Sequence, residues 1–304
     1  MSLPLVMGII NVTPDSFSGD GVLRGDDTVS RAMAQAEQMV ADGADMLDVG
    51  GESSRPGSVS VSIEEEIRRV VPVITAIKKM LGSTPVSVDT VKADVAEKAL
   101  QAGATIINDI TALAGDARMG EVAARSGARV VLMHNRAAPD AVNRSAKTPG
   151  SCPAAAGIRD CPCRDLPYCQ RSFASFDAPP YENVVADVAH VLEMRVDAAL
   201  KVGVARDKII LDPGIGFGKT PQQNLALIAN LGRIKALGFP VLMGLSRKSF
   251  IGHTLGLPVD ERLEGTAAGV AISVMQGADI VRVHDVKFMA RVVKMAAALR
   301  DAAE

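Results

Sequence analysis

Short apolar runs recur along the chain, separated by longer stretches in which apolar and polar positions alternate with a helical period. The runs are VMGIIN, MLDVGG, PVSVDT, TIINDI, VVLMHN, IILDPG, VLMGLS and IVRVHD. Between them, Val29-Met33-Ala36-Val40, Val185-Val188-Leu192-Val196 and Phe288-Val292-Met295-Leu299 have the spacing of amphipathic helices. Strands apolar on both faces and separated by helices predict a parallel sheet covered by helices. Eight of them favour an α/β fold closed into a (β/α)8 TIM barrel over an open doubly wound sheet, with an active site at the C-terminal face of the strands.

A repeated phrase supports this reading. Gly43-Ala44-Asp45, Gly103-Ala104-Thr105, Gly127-Ala128-Arg129 and Gly277-Ala278-Asp279 each stand between a helical pattern and an apolar run. Each glycine reads as the residue that ends a helix, and the recurrence as a βα repeat. The interval from His134 to Asp212 is roughly twice the longest of the others, and its excess falls at about 137–180. The expectation is a single barrel domain over 1–304, with a long inserted loop after strand 5 on the catalytic face.

Composition narrows the function. The 304 residues are 48% hydrophobic with a net charge of −2, no Trp and 3% aromatics. Basic and acidic residues are mixed, so neither nucleic acid nor a membrane surface is expected as a partner. The N-terminus shows no leader pattern, and no apolar run reaches spanning length, which reads as a cytoplasmic protein. Cys152, Cys161, Cys163 and Cys169 all fall in the inserted loop. Their C-x8-C-x-C-x5-C spacing does not match paired zinc knuckles, so their role stays open.

The chemistry stands at the strand ends: Asn11, Glu52 just past the second strand, Asp89, Asn108, His134, Asp212, Ser246-Arg247-Lys248, and Arg282 with His284. Asp89, Asn108 and Asp212 suit the N–H edges of a heteroaromatic ring, while Lys248, Arg282 and His284 suit an anion. An aminated heterocycle carrying phosphate would satisfy both groups. The stretch PGIGFGKT, residues 213–220, comes within one residue of a nucleotide phosphate loop. Pro221 argues against that assignment, because it makes Thr220 a helix cap and itself the first helical residue.

The motifs MGIINVTPDSFS, DVGGESSRPG, SVDT, INDI, LMH, LDPGIGFGK, GLSRKSFIG and VRVHDV, in this order, resemble those of the dihydropteroate synthase family over nearly the whole chain. That family condenses 6-hydroxymethyl-7,8-dihydropterin diphosphate with p-aminobenzoate, using Mg2+, to give 7,8-dihydropteroate and pyrophosphate in folate biosynthesis. The resemblance implies a pterin site of Asp89, Asn108, Met133, Asp212, Phe217 and Lys248. It implies that Asn11 meets Mg2+ and pyrophosphate, with Ser54, Arg282 and His284 as further pyrophosphate ligands. Phe17, Arg55, Pro56 and Ser249 would receive p-aminobenzoate, and Asp15, Asp89, Lys248, Arg282 and His284 would take part in catalysis. A homodimer and sensitivity to sulfonamides are further expectations of the resemblance.

Two departures stand out. Ser54 replaces the family's usual threonine and keeps the hydroxyl, and the insertion after Asn135-Arg136 is foreign to the pattern. Two rivals are a methyltetrahydrofolate-dependent methyltransferase and a non-catalytic pterin-binding relative. The Ser-Arg-Lys-Ser turn and the Arg-x-His pair argue against the first. The full set of Asn11, Lys248, Arg282 and His284 argues against the second.

Overall fold

The computed structural model describes residues 2–13, 28–53, 60–136 and 181–303. Each of the eight apolar runs contains a strand: β1 (Leu5–Asn11), β2 (Met46–Gly50), β3 (Val86–Asp89), β4 (Ile106–Asp109), β5 (Arg129–Met133), β6 (Ile209–Asp212), β7 (Leu242–Gly244) and β8 (Ile280–Val283). They pair in the order β6-β5-β4-β3-β2-β1-β8-β7, always parallel. The two ends of this order meet. Leu211 bridges Val241 in parallel, and its N–H donates to the Pro240 carbonyl at 2.9 Å. The sheet therefore closes on itself, and the barrel expected from the sequence is the fold.

Helices follow the strands and cover the ring: α1 (Thr28–Ala41), α2 (Ile63–Met80), α3 (Ala93–Gln101), α4 (Met119–Ser126), α5 (Val184–Lys201), α6 (Pro221–Ala229), α7 (Gly232–Lys235), α8 (Ser249–Leu255), α9 (Leu263–Met275) and α10 (Val286–Asp301). The glycine of each repeated phrase has positive φ, from 66° at Gly127 to 110° at Gly103, as a helix-ending residue without a Cβ allows. Two of the phrases end in an aspartate that ties down a neighbouring strand. Asp45 accepts from Val6 N–H at 2.8 Å, and Asp279 accepts from Val241 N–H at 2.7 Å.

Strand residues alternate between two cores, the period of two that a pleated strand imposes. Leu47, Val49, Val86, Val88, Val130, Leu132 and their equivalents pack with the helices. Met7, Met46, Ile106, Val131, Ile210, Leu242 and Ile280 form a separate cluster, the plug inside the ring. Two positions further along the strands, on the same parity, stand Asp48, Asn108, Met133, Asp212, Gly244 and Arg282. The barrel interior thus changes from apolar to polar within one layer, and the polar layer is the floor of the cup.

The helix predicted around Phe288-Val292-Met295-Leu299 is α10. The stripe Phe288-Val292-Met295-Leu299 has helical spacing, but Phe288, Met295 and Leu299 are exposed. α10 instead buries Val286, Met289, Ala290, Val293, Ala296 and Ala297. Small residues let α10 pack closely against the barrel, so its large apolar residues are left on the outer face.

The insertion at 137–180, with its four cysteines, lies outside the described residues, between β5 and α5. So do Asp15, Phe17, Ser54, Arg55 and Pro56. Among the described residues no helix is long and apolar enough to cross a membrane.

Candidate active site

Parallel register puts the strand-end residues side by side. Asn11 pairs with Gly50, Gly50 with Asp89, and Asp89 with Asn108; on the next pair of strands Met133 stands beside Asp212. From the other side of the ring Arg282 reaches across. Its Nε donates to Asp48 Oδ2 at 2.6 Å and its Nη2 to Asp89 Oδ2 at 2.8 Å. Asp48 Oδ2 also accepts from Asn108 Nδ2 at 3.0 Å. One connected network therefore joins β2, β3, β4 and β8.

The loop after β6 forms a second wall. Asp212 Oδ1 accepts from Gly214 N–H at 2.7 Å. Gly214 has φ +68°, and a Cβ built there would lie 1.8 Å from the His134 carbonyl oxygen, so no other residue fits. Lys219 holds the loop from beneath. Its Nζ donates to the carbonyls of Gly214 at 2.8 Å and Phe217 at 3.0 Å and lies 3.0 Å from His134 Nδ1. A half-buried amino group that burial makes less basic needs such partners. The lysine that resembled a phosphate-loop residue is a clamp on carbonyl groups. Thr220 caps α6 through a capping box with Gln223, and Pro221 opens the helix.

Lys248, the residue before α8, reaches back to this wall. Its Nζ bonds the Ile215 carbonyl and sits 4.4 Å from the centre of the Phe217 ring, a cation over an aromatic face. Its neighbour Arg247 has φ +54° and is committed elsewhere: Nε and Nη2 grip Asp285 at 2.9 and 2.6 Å. Ser249 is exposed at the first position of α8. At the end of β8, His284 Nδ1 lies 2.9 Å from Ser246 Oγ, which also accepts from the His284 backbone N–H at 3.2 Å. Those contacts fix the imidazole at the same rim as Arg282.

Burial sets the electrostatics. It pushes Asp89 up to about 7 against the opposing pull of Arg282, and it raises Asp212 against the pull of Lys248. Burial lowers Lys248 to about 8 although Asp212 opposes this. For Arg282 burial also works against the charge, but Asp48 and Asp89 outweigh it and leave the guanidinium still more basic than usual. The cup thus holds one carboxyl, Asp89, and one amine, Lys248, whose titration is brought close to neutrality.

Two strand-end residues singled out in the sequence do not join the cup. Glu52 pairs with Lys92, whose Nζ also meets Glu66 at 2.5 Å and the Val61 carbonyl at 2.6 Å. Past Gly50 the chain leaves the interior, so Glu52 meets the outer helices. His134 is buried under the β6 loop beside Lys219, where burial lowers its pKa well below the usual value. Conversely, Asp48 was missed. The available signal was a carboxylate inside the otherwise apolar run MLDVGG, a placement that burial penalises unless a partner exists.

For Mg2+, no group of three or more His, Cys, Asp or Glu among the described residues could hold a metal ion. Asn11 at the end of β1 offers an amide oxygen, and water and a diphosphate would offer others. Those are the hard oxygen donors that Mg2+ prefers.

At the C-terminal face of the (β/α)8 barrel the cup thus gathers Asp89, Asn108 and Asp212 with Lys248, Arg282 and His284. The pterin binding enzyme family matches residues 7–284. The dihydropteroate synthase of Bacillus subtilis is 45% identical over 291 residues, spanning 96% of this chain and 87% of that protein. Crystal structures of the Clostridium difficile enzyme in the presence of pteroic acid and of the Yersinia pestis enzyme with a sulfonamide drug are 37% and 35% identical. Each has a TM-score of 0.79, and they cover 98% and 99% of this chain and 97% and 96% of theirs. The chain belongs to the pterin binding enzymes and, within them, to the dihydropteroate synthases. Its reaction is pterinylmethyl transfer: 6-hydroxymethyl-7,8-dihydropterin diphosphate and p-aminobenzoate give 7,8-dihydropteroate and pyrophosphate in folate biosynthesis.

Proposed function

We propose the following division of labour for that reaction. Asp89, Asn108 and Asp212 take the N–H edges of the pterin, with Met133 and Phe217 as walls and Lys248 at the ring's rim. Arg282 and His284 receive the pyrophosphate together with Asn11 and Ser54. Ser249 takes the p-aminobenzoate carboxylate at the start of α8, aided by Phe17, Arg55 and Pro56 on the first two loops. The observation that carries this reading is the meeting of Asp89, Asn108 and Arg282 in one hydrogen-bonded network. That network sets ring acceptors beside an anion donor.

The chemistry follows from charge. Departure of pyrophosphate from a CH2 on an electron-rich pterin leaves a cation behind. The residues therefore have to stabilise the leaving anion and shelter the developing positive charge. Arg282 and His284 do the first, and Asp15, Asp89 and Asp212 do the second. The arylamine attacks as the neutral species present at pH 7, so no strong general base is needed. Mg2+, held by Asn11 and the diphosphate, would supply additional neutralisation of the leaving group.

The deciding experiment is pyrophosphate release from the pterin diphosphate, measured with and without Mg2+ and p-aminobenzoate. Release that requires Mg2+ supports the assignment, and metal-independent turnover sinks the metal part of it. Sulfonamides are expected to compete with p-aminobenzoate; inhibition that p-aminobenzoate does not relieve counts against the shared site.

The proposal extends to a homodimer in the cytoplasm. Its structural support is the outer face of α9 and α10, where Ile272, Met275, Phe288, Met295 and Leu299 are exposed. An apolar face of this kind marks an interaction surface.

A further inference from the structure

Asp48 is fully buried in the barrel interior, one layer above Met46. Its strand neighbours Leu47 and Val49 are fully buried and apolar. An apolar residue of similar size would suit folding at this position at least as well, because a buried carboxylate loses hydration that pairing only partly restores. Asp48 also makes more than a single ion pair. One oxygen, Oδ2, accepts from both Arg282 Nε and Asn108 Nδ2, and the other, Oδ1, is buried with no hydrogen-bond partner among the described residues. The fold alone therefore does not account for all of this carboxylate.

We propose that Asp48 is a positioning residue for both halves of the pterin diphosphate, orienting Arg282 toward the pyrophosphate and Asn108 toward the ring. The proposal rests on the roles given above to Arg282 and Asn108. Holding the guanidinium by Nε fixes its plane and leaves for an anion those N–H donors not already given to Asp89. Accepting from Nδ2 sets which way the Asn108 amide faces, so its Oδ1 is the atom left for a ring N–H. A group that positions two ligating side chains at once carries pre-organisation that neither supplies alone.

The test is Asp48→Asn, which keeps the shape and one acceptor oxygen but removes the charge. kcat/KM for the pterin diphosphate is expected to fall about tenfold to a hundredfold, the range seen when outer partners of a ligand set are removed. Inhibition by inorganic pyrophosphate and binding of pteroic acid should both weaken, with KM for p-aminobenzoate unchanged. Ser87→Ala, at the position paired with Asp48 on β3, should leave all of these constants unaltered. If both ligands bind Asp48→Asn within about twofold of the unmodified enzyme, or Ser87→Ala weakens them equally, the proposal is overturned. Arg282→Lys separates the two levels of the argument, since it keeps a cation and loses the Nε donor. Unchanged pyrophosphate inhibition both there and in Arg282→Gln, which removes the cation, would refute the pyrophosphate role itself. Weakened inhibition there, with none in Asp48→Asn, would refute only the positioning role. Should Asp48→Asn fail to fold, Asp48→Ser is read by the same criteria. Failure of both to fold assigns Asp48 to stability and ends the proposal.

Discussion

Arg282 and Asp89 are joined across the mouth of the barrel, with Nη2 2.8 Å from Oδ2, so the last strand and the third share one charged contact. A guanidinium that meets a carboxylate in this way is held in place before any ligand arrives. It also keeps a carboxylate ionisable in a site where burial works against its charge.

The first prediction concerns pH. Burial raises Asp89 from 3.8 to about 7 and lowers Lys248 from 10.5 to about 8. Asp89 becomes a carboxylate only as pH rises through about 7, and Lys248 loses its proton as pH rises through about 8. The profile of kcat/KM for the pterin diphosphate should be bell-shaped with limbs near those values, which belong to the coupled site as a whole. Asp89→Asn should remove the acidic limb and leave a lower plateau. A flat profile from about pH 6 to 9 would contradict both assignments. For stability the sign is fixed by the raised carboxyl: the folded state holds the proton between 3.8 and about 7, so the Asp89 contribution is lost as pH rises through that window.

Lys248→Ala should lower kcat/KM by about 10²–10³, the scale of removing one oriented charged donor. Its side chain is half-buried and contacts the Ile215 carbonyl and the Phe217 ring. The loss should therefore appear in steady-state kinetics with little change in the melting curve. A near-normal rate in the purified variant removes Lys248 from the mechanism.

The β6 loop should be sensitive to substitutions that touch no ligand. Gly214→Ala costs about 1–2 kcal/mol for the left-handed backbone alone, and the contact with the His134 carbonyl adds to it. Lys219→Met leaves the Gly214 and Phe217 carbonyls without their donor and should cost about 1.5–3 kcal/mol. Urea unfolding measures both, and midpoints equal to that of the unmodified protein would show that the clamp is dispensable.

The proposed homodimer on this face predicts that replacing Phe288 and Met295 together by Glu shifts sedimentation from dimer to monomer. Both side chains are exposed on α10, so the isolated fold should keep its stability. A dimer that persists would place the interface elsewhere.

The cup was partly legible in the sequence. Asp89, Asn108 and Asp212 stand where an apolar run ends in a polar residue, and parallel register brings the ends together whatever the helices do. Asp48 escaped because it lies two residues inside its run, where pattern alone reads a strand interior. The same strand exits after Gly50, which sends Glu52 to Lys92 and leaves Asp48 facing Arg282, a residue 234 positions later. The α10 stripe shows a related limit: helical spacing shows that a face exists but not which face meets the barrel.

By itself the sequence determined the local and the repeating: eight strands, the glycines that end the helices, the Thr220 and Pro221 helix start, and the kinds of side chain at each strand end. These follow from backbone sterics and hydrophobic periodicity, which act over a few residues. The tertiary structure alone decided which polar groups meet. Asp48 with Arg282 and Asn108, Lys219 with His134, and Glu52 with Lys92 are pairings between segments 40 to 234 residues apart in the chain. They depend on strand parity and on where each chain segment leaves the interior, and neither is written in the spacing of any one run.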